Sequence, residues 1–123
     1  MKITKNFNLS EFACNDGTEV PTELIDNVKL LAKQLQVLRD HYDAPIKINS
    51  AYRTKSHNAN VGGSINSQHL LATAADIIIQ GISPQETQET IQTLIHTGKM
   101  LEGGLGKYRT FTHYDIRNSR ARW

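Results

Sequence analysis

The chain has 123 residues, 38% of them hydrophobic and 21% charged, enough for one domain with one core. Its formal net charge of +2 is mild, and no nucleic-acid-binding motif accompanies it. A single cysteine excludes an intramolecular disulfide framework. No apolar run is long enough for a transmembrane helix, and residues 1–7 lack the apolar stretch of a secretory signal. The expectation is a soluble monomer, residues 1–123 forming one domain, with neither nucleic acid nor membrane as partner.

In chain order, Phe7 to Cys14 predicts a short helical turn capped by Ser10, with Leu9 and Phe12 as anchors and Cys14 as a small core or semi-buried residue. Asn15-Asp16-Gly17 signals a turn, and Pro21 stands at the start of a helix. From residue 22 to about 41, Leu24, Val28, Leu31, Leu35 and Leu38 recur at three- and four-residue steps, which predicts an amphipathic scaffold helix. Ala44-Pro45 ends it, and Ile46-Lys47-Ile48-Asn49 alternates as a strand delivering Ser50 to Arg53 into a loop. By frequency alone Arg53 reads as a surface arginine. Residues 55–68 read as loop, with a short helix near residues 57–61 and a flexible Gly62-Gly63; His57 and Asn58 either shape this loop or touch substrate.

Residues 74–80 predict a central strand, apolar on both faces except at Asp76. A carboxylate there is costly unless paired, hydrogen-bonded or on a metal. Ser83-Pro84-Gln85-Glu86 is an N-cap, a first-turn proline and a capping box, opening a helix to about residue 97. Gly103 to Tyr108 reads as a turn entering a strand; it lacks the spacing and following helix of a phosphate loop. Residues 111–116 predict the last strand, with His113 and Asp115 on one face. The tail with Arg117, Arg120 and Arg122 reads as a solvated terminus.

His69 and Asp76 flank small residues and have the shape of a metal half-site. Imidazole and carboxylate are both zinc ligands, and His113 as a third would leave one position open for water. Alone, such a pair is nonspecific. The full pattern, however, resembles the zinc D-Ala-D-Ala carboxypeptidases and peptidoglycan endopeptidases (LAS-type metallopeptidases), a family that includes phage endolysins. Ser67, His69, Ala74 and Asp76 fit its Ser-x-His-x-x-Gly-x-Ala-x-Asp motif, and His113-Tyr114-Asp115 supplies its late motif. Ser50-Ala51-Tyr52-Arg53-Thr54 and His57-Asn58 with Val61-Gly62-Gly63 resemble its upstream blocks.

The resemblance implies a hedgehog/DD-peptidase-like α+β fold: a small, mainly antiparallel sheet with packed helices and Zn2+ in a groove. It implies His69, Asp76 and His113 as ligands, and Arg53, Tyr52 and Ser67 at the substrate, Arg53 binding a carboxylate or polarising the scissile carbonyl. The substrate implied is a peptidoglycan stem peptide, reached after release to the wall. Relatives carry an acidic residue three positions before the last ligand, where Thr110 stands here, or a histidine nearby. Asp115 is then either the proton carrier or a partner orienting a ligand histidine. Ala72 stands where the family has glycine; if that glycine only permits close packing, one methyl is tolerated, and if it needs positive φ, alanine is strained. The packing reading is the expectation. A wall-peptide-binding module without catalysis is the alternative function.

Overall fold

The computed structural model describes residues 1–123. The fold is α+β. Helix α1 (Ile25–Tyr42) follows a 3-10 turn at Thr22–Leu24, and its stripe of Val28, Leu31, Ala32, Leu35 and Leu38 is fully buried. Ile77 and Ile79 of strand β2 (Ala74–Ile79) and Ile91 and Leu94 of helix α3 (Pro84–His96) join that stripe in one core cluster. Burial of this surface is the main driving force for the fold. Ser83 Oγ accepts the Glu86 N–H at 3.1 Å with Pro84 at the first helical position, as the sequence predicts. No helix is long and apolar enough to cross a membrane.

Five strands form one sheet in the order β1-β2-β4-β3-β5, with β1 at Ile46–Ser50, β3 at Gly104–Lys107, β4 at Thr112–Asp115 and β5 at Ala121–Arg122. All pairings are antiparallel except β3 with β5. The register aligns Ser50, Asp76, His113 and Gly106 in one row across four strands, and Ala74, Asp115 and Gly104 in another. Directly paired residues present their side chains on the same face, as do residues two apart on a strand. The reactive groups of β2 and β4 therefore meet by register alone.

Four local expectations change. The first turn, Leu9–Phe12, is capped by Asn8 instead of Ser10: the Asn8 N–H donates to the Glu11 carboxylate at 2.7 Å. Helix α2 (Lys55–Asn60) begins earlier than expected, because Thr54 Oγ1 caps it by accepting the His57 N–H at 3.2 Å. The Gly103 to Tyr108 stretch is itself largely strand. Gly104 is required there because a Cβ would run into the Asp115 carboxylate, and Gly106 because a Cβ would run into the Trp123 indole. Finally, the basic tail is not a solvated terminus. Residues 121–122 pair with β3, and Arg122 donates through Nη1 to the Gly103 carbonyl at 2.8 Å and through Nη2 to Glu102 at 2.6 Å.

Candidate metal centre

His69 lies on a 3-10 turn, Gln68–Leu71, whose cap Ser67 accepts the His69 N–H on Oγ at 3.1 Å. The His69 ring is buried, and its Nδ1 sits 2.6 Å from the Ala51 carbonyl oxygen. A carbonyl can only accept, so Nδ1 carries the proton and Nε2 keeps a lone pair. That lone pair faces Asp76 Oδ2 at 3.2 Å.

His113 is oriented from its other side. Its Nε2 lies 2.7 Å from Asp115 Oδ2, and its Nδ1 lies 3.0 Å from Asp76 Oδ1. Asp115 is fully buried and saturated with donors: Oδ1 accepts from the N–H groups of Gly104 and Arg117 and from Arg117 Nε, and Oδ2 from Arg117 Nη2. Burial pushes the Asp115 carboxyl up, but bonds from His113 and Arg117 outweigh it and hold it well below the usual carboxylate range. An ionised Asp115 makes Nε2 the protonated nitrogen of His113 and leaves Nδ1 as the free lone pair.

Two imidazole lone pairs thus converge on one carboxylate, and all three donor atoms lie within 4.8 Å of one another. Three acceptors so close repel one another unless a proton or a metal ion sits between them. Burial pushes Asp76 up, yet His113 and His69 hold it well below the usual range; burial likewise disfavours charge on His113, yet Asp115 and Asp76 raise its pKa. The field that draws a proton to His113 also draws a metal ion. His69 Nε2 lies 3.2 Å from one Asp76 oxygen and His113 Nδ1 3.0 Å from the other, each close to the roughly 3.3 Å between ligand atoms of a tetrahedral zinc with bonds of about 2.0–2.1 Å. The donor set fits zinc.

These residues form one wall of a cleft of about 520 Å³. Arg53 and the Gly62-Gly63 loop line one part, and Tyr108, Phe111, Arg117 and Trp123 another. A sequence profile of the Peptidase M15 family matches residues 5–115. The chain belongs to the Peptidase M15 family. No curated protein matches it. Peptidases of the M15 family are metal-dependent, and the buried side chains of His69, Asp76 and His113 form a group that could hold a metal ion.

The remaining expected site residues of this M15 chain divide. Arg53 lines the cleft, donating from Nε to Ser50 Oγ at 3.1 Å, from Nη1 to Asn58 Oδ1 at 3.2 Å and from Nη2 to Asp76 Oδ2 at 3.3 Å. The frequency-based surface reading therefore fails for it. Ser67 also lines the cleft. Tyr52 does not: it packs against the hydrophobic core, its N–H bonded to the Phe12 carbonyl at 3.0 Å, because adjacent residues of this extended stretch face different surroundings. Asn58 shapes the loop, donating from Nδ2 to the Ser64 carbonyl at 2.8 Å.

Two residues escaped the sequence reading. Trp123 places its ring 5.0 Å from His113, under the Arg117 guanidinium, and its Nε1–H donates to Tyr108 Oη at 2.8 Å. Arg117 clamps Asp115. The signals available were the Gly-x-Gly of β3 and the spacing of Arg117 two residues beyond Asp115.

Ala72 corrects the packing expectation: its φ of 57° and ψ of 32° are left-handed, so alanine carries real backbone strain. That strain costs about 1–2 kcal/mol. A glycine would lose about 0.5–1 kcal/mol to unfolded-chain entropy and about 0.8 kcal/mol of buried methyl, Ala72 being buried. The terms nearly cancel. Ala72→Gly is expected to shift stability by less than about 1 kcal/mol in urea unfolding, whereas β-branched Ala72→Val is expected to lose more than about 2 kcal/mol.

Proposed function

We propose that residues 1–123 act as one zinc peptidase domain that hydrolyses a peptide bond in peptidoglycan stem peptides or cross-links. The observation that carries this reading is the convergence of His69 Nε2, Asp76 and His113 Nδ1, each held by its own partners, at the wall of an open cleft in an M15 chain. These three side chains would hold the ion. When bound, zinc supplies Lewis acidity toward a carbonyl oxygen and acidifies water at its open position.

The chain's own residues do the rest. Arg53 has five N–H donors and commits three of them to Ser50, Asn58 and Asp76, leaving two for a substrate carboxylate or the scissile carbonyl. Ser67 fixes the turn that presents His69. Asp115, saturated by Arg117, Gly104 and His113, serves as the positioning residue of His113. Tyr108, at the cleft, accepts from Trp123 on Oη, which leaves its hydroxyl proton available to donate. Among the side chains lining the cleft, Asp76 is the sole carboxylate. That observation favours a second reading, a metal-bearing module that binds wall peptides without cutting them.

Purified sacculi separate the two. Incubation with the protein is expected to release muropeptide fragments detectable by mass spectrometry, to stop on chelation and to resume on zinc addition. Binding to sacculi by fully metallated protein without any released fragment would establish the second reading. In the same assay Arg53→Ala is expected to keep metal and fold while losing about a hundredfold or more in turnover, the scale of one preorganised donor. Unchanged turnover would reduce Arg53 to support of Asp76.

A further inference from the structure

A second group of ligand-type side chains lies outside the cleft. Cys14 Sγ, a carboxylate oxygen of Asp16 and a ring nitrogen of His57 all fall within 4.8 Å of one another. They come from two stretches far apart in sequence, the turn after the first 3-10 segment and the first part of α2. Cys14 is buried, His57 half-buried and Asp16 exposed, so the group runs from the core edge to solvent and an ion can enter.

Both segments are held in place by the backbone and by Asp16. The Cys14 N–H donates to the Thr18 carbonyl at 2.9 Å and the Gly17 N–H to the Cys14 carbonyl at 2.9 Å. Asp16 Oδ1 accepts the Thr18 N–H at 2.9 Å, and Oδ2 accepts from Thr54 Oγ1, the cap of α2, at 3.0 Å. Thr18 and Thr54 each donate to one Asp16 oxygen, and the Cys14 thiol lies close enough to add to their effect. Bonds from Thr18 above all, with Cys14 and Thr54, hold Asp16 well below the usual carboxylate range.

We propose that Cys14, Asp16 and His57 form a second site for a thiophilic divalent cation, zinc foremost, separate from the His69, Asp76 and His113 centre. A thiol, an imidazole and a carboxylate select zinc-type ions over magnesium or calcium, which take oxygen ligands. Binding exchanges the thiol proton for the ion and releases that proton to solvent, with no change of oxidation state. At the separations of about 3.3–3.7 Å that a tetrahedral ion imposes, each side chain has only a short distance to close. The consequence reaches the cleft: the ion would fasten the 14–16 turn to α2, whose Asn58 holds Arg53 at 3.2 Å.

The chain has one cysteine and the first centre has no sulfur ligand, so any sulfur-to-cobalt charge-transfer band reports Cys14 alone, even in the wild-type chain. Titrating metal-free protein with cobalt(II) is expected to give a near-ultraviolet band that saturates with two equivalents bound and is displaced by zinc. Cys14→Ser should abolish the band, and His57→Ala should weaken the affinity it reports by about tenfold or more. No band in the wild-type chain, or a band of unchanged affinity in His57→Ala, overturns the second site. One zinc still retained by the wild-type chain, lost in His69→Ala, would then leave the cleft centre standing by itself.

Discussion

His69→Ala is expected to remove one zinc equivalent from the protein and to lower peptide hydrolysis by on the order of a thousandfold or more. Metal polarisation supplies several kcal/mol of transition-state stabilisation, and each 1.36 kcal/mol is a factor of ten in rate. Asp76 and His113 alone offer too few ligands for tight binding. The change also strips the Ala51 carbonyl of its partner at 2.6 Å in a buried place, a loss of about 1–3 kcal/mol in stability. Elemental analysis and turnover are therefore to be measured below the variant's unfolding temperature, with circular dichroism as the control for fold. Wild-type zinc content in His69→Ala would remove the residue from the ligand set. Wild-type turnover after complete loss of metal would remove zinc from the reaction.

Local signals carried the scaffold and the chemical core of the site into the sequence. The α1 stripe is written in Val28, Leu31, Leu35 and Leu38 because a helix facing one core must repeat its apolar residues. Ser83 and Pro84 mark a helix start by chemistry that needs no tertiary partner. Alternation put His113 and Asp115 on one face, and the register confirms it by pairing them with Asp76 and Ala74. What stayed hidden depends on distant contacts. A two-residue strand such as β5 is shorter than any periodicity, and its pairing with β3 brings Trp123 to His113. Arg117 looked like one charge in a basic tail until the fold showed Asp115 beneath it. The positive φ of Ala72 was one of two readings the family glycine left open, and alanine, which normally avoids that region, tipped the expectation to the wrong one.

Asp115→Asn is expected to weaken zinc binding by about tenfold to a hundredfold, the usual cost of losing an outer partner of a ligand, and to lower stability by on the order of 3 kcal/mol through the uncompensated Arg117. The amide has no comfortable orientation. Placed at Oδ1, its NH2 group opposes the Gly104 and Arg117 N–H donors; placed at Oδ2, it opposes Arg117 Nη2. In the second case it also donates to His113 Nε2, which forces the proton onto Nδ1, the nitrogen that faces Asp76. The ring would then present a proton where the ion needs a lone pair. Because His69, Asp76 and His113 all remain, excess zinc should recover much of the lost turnover by trapping the competent tautomer. A proton carrier behaves otherwise: its loss leaves zinc affinity near wild type and slows turnover by about a hundredfold or more at any zinc concentration. Zinc affinity and turnover measured on the same preparation thus separate the roles, and the five donors around Asp115 argue for the first outcome, since a carboxylate so committed has no lone pair left to take a proton from the cleft.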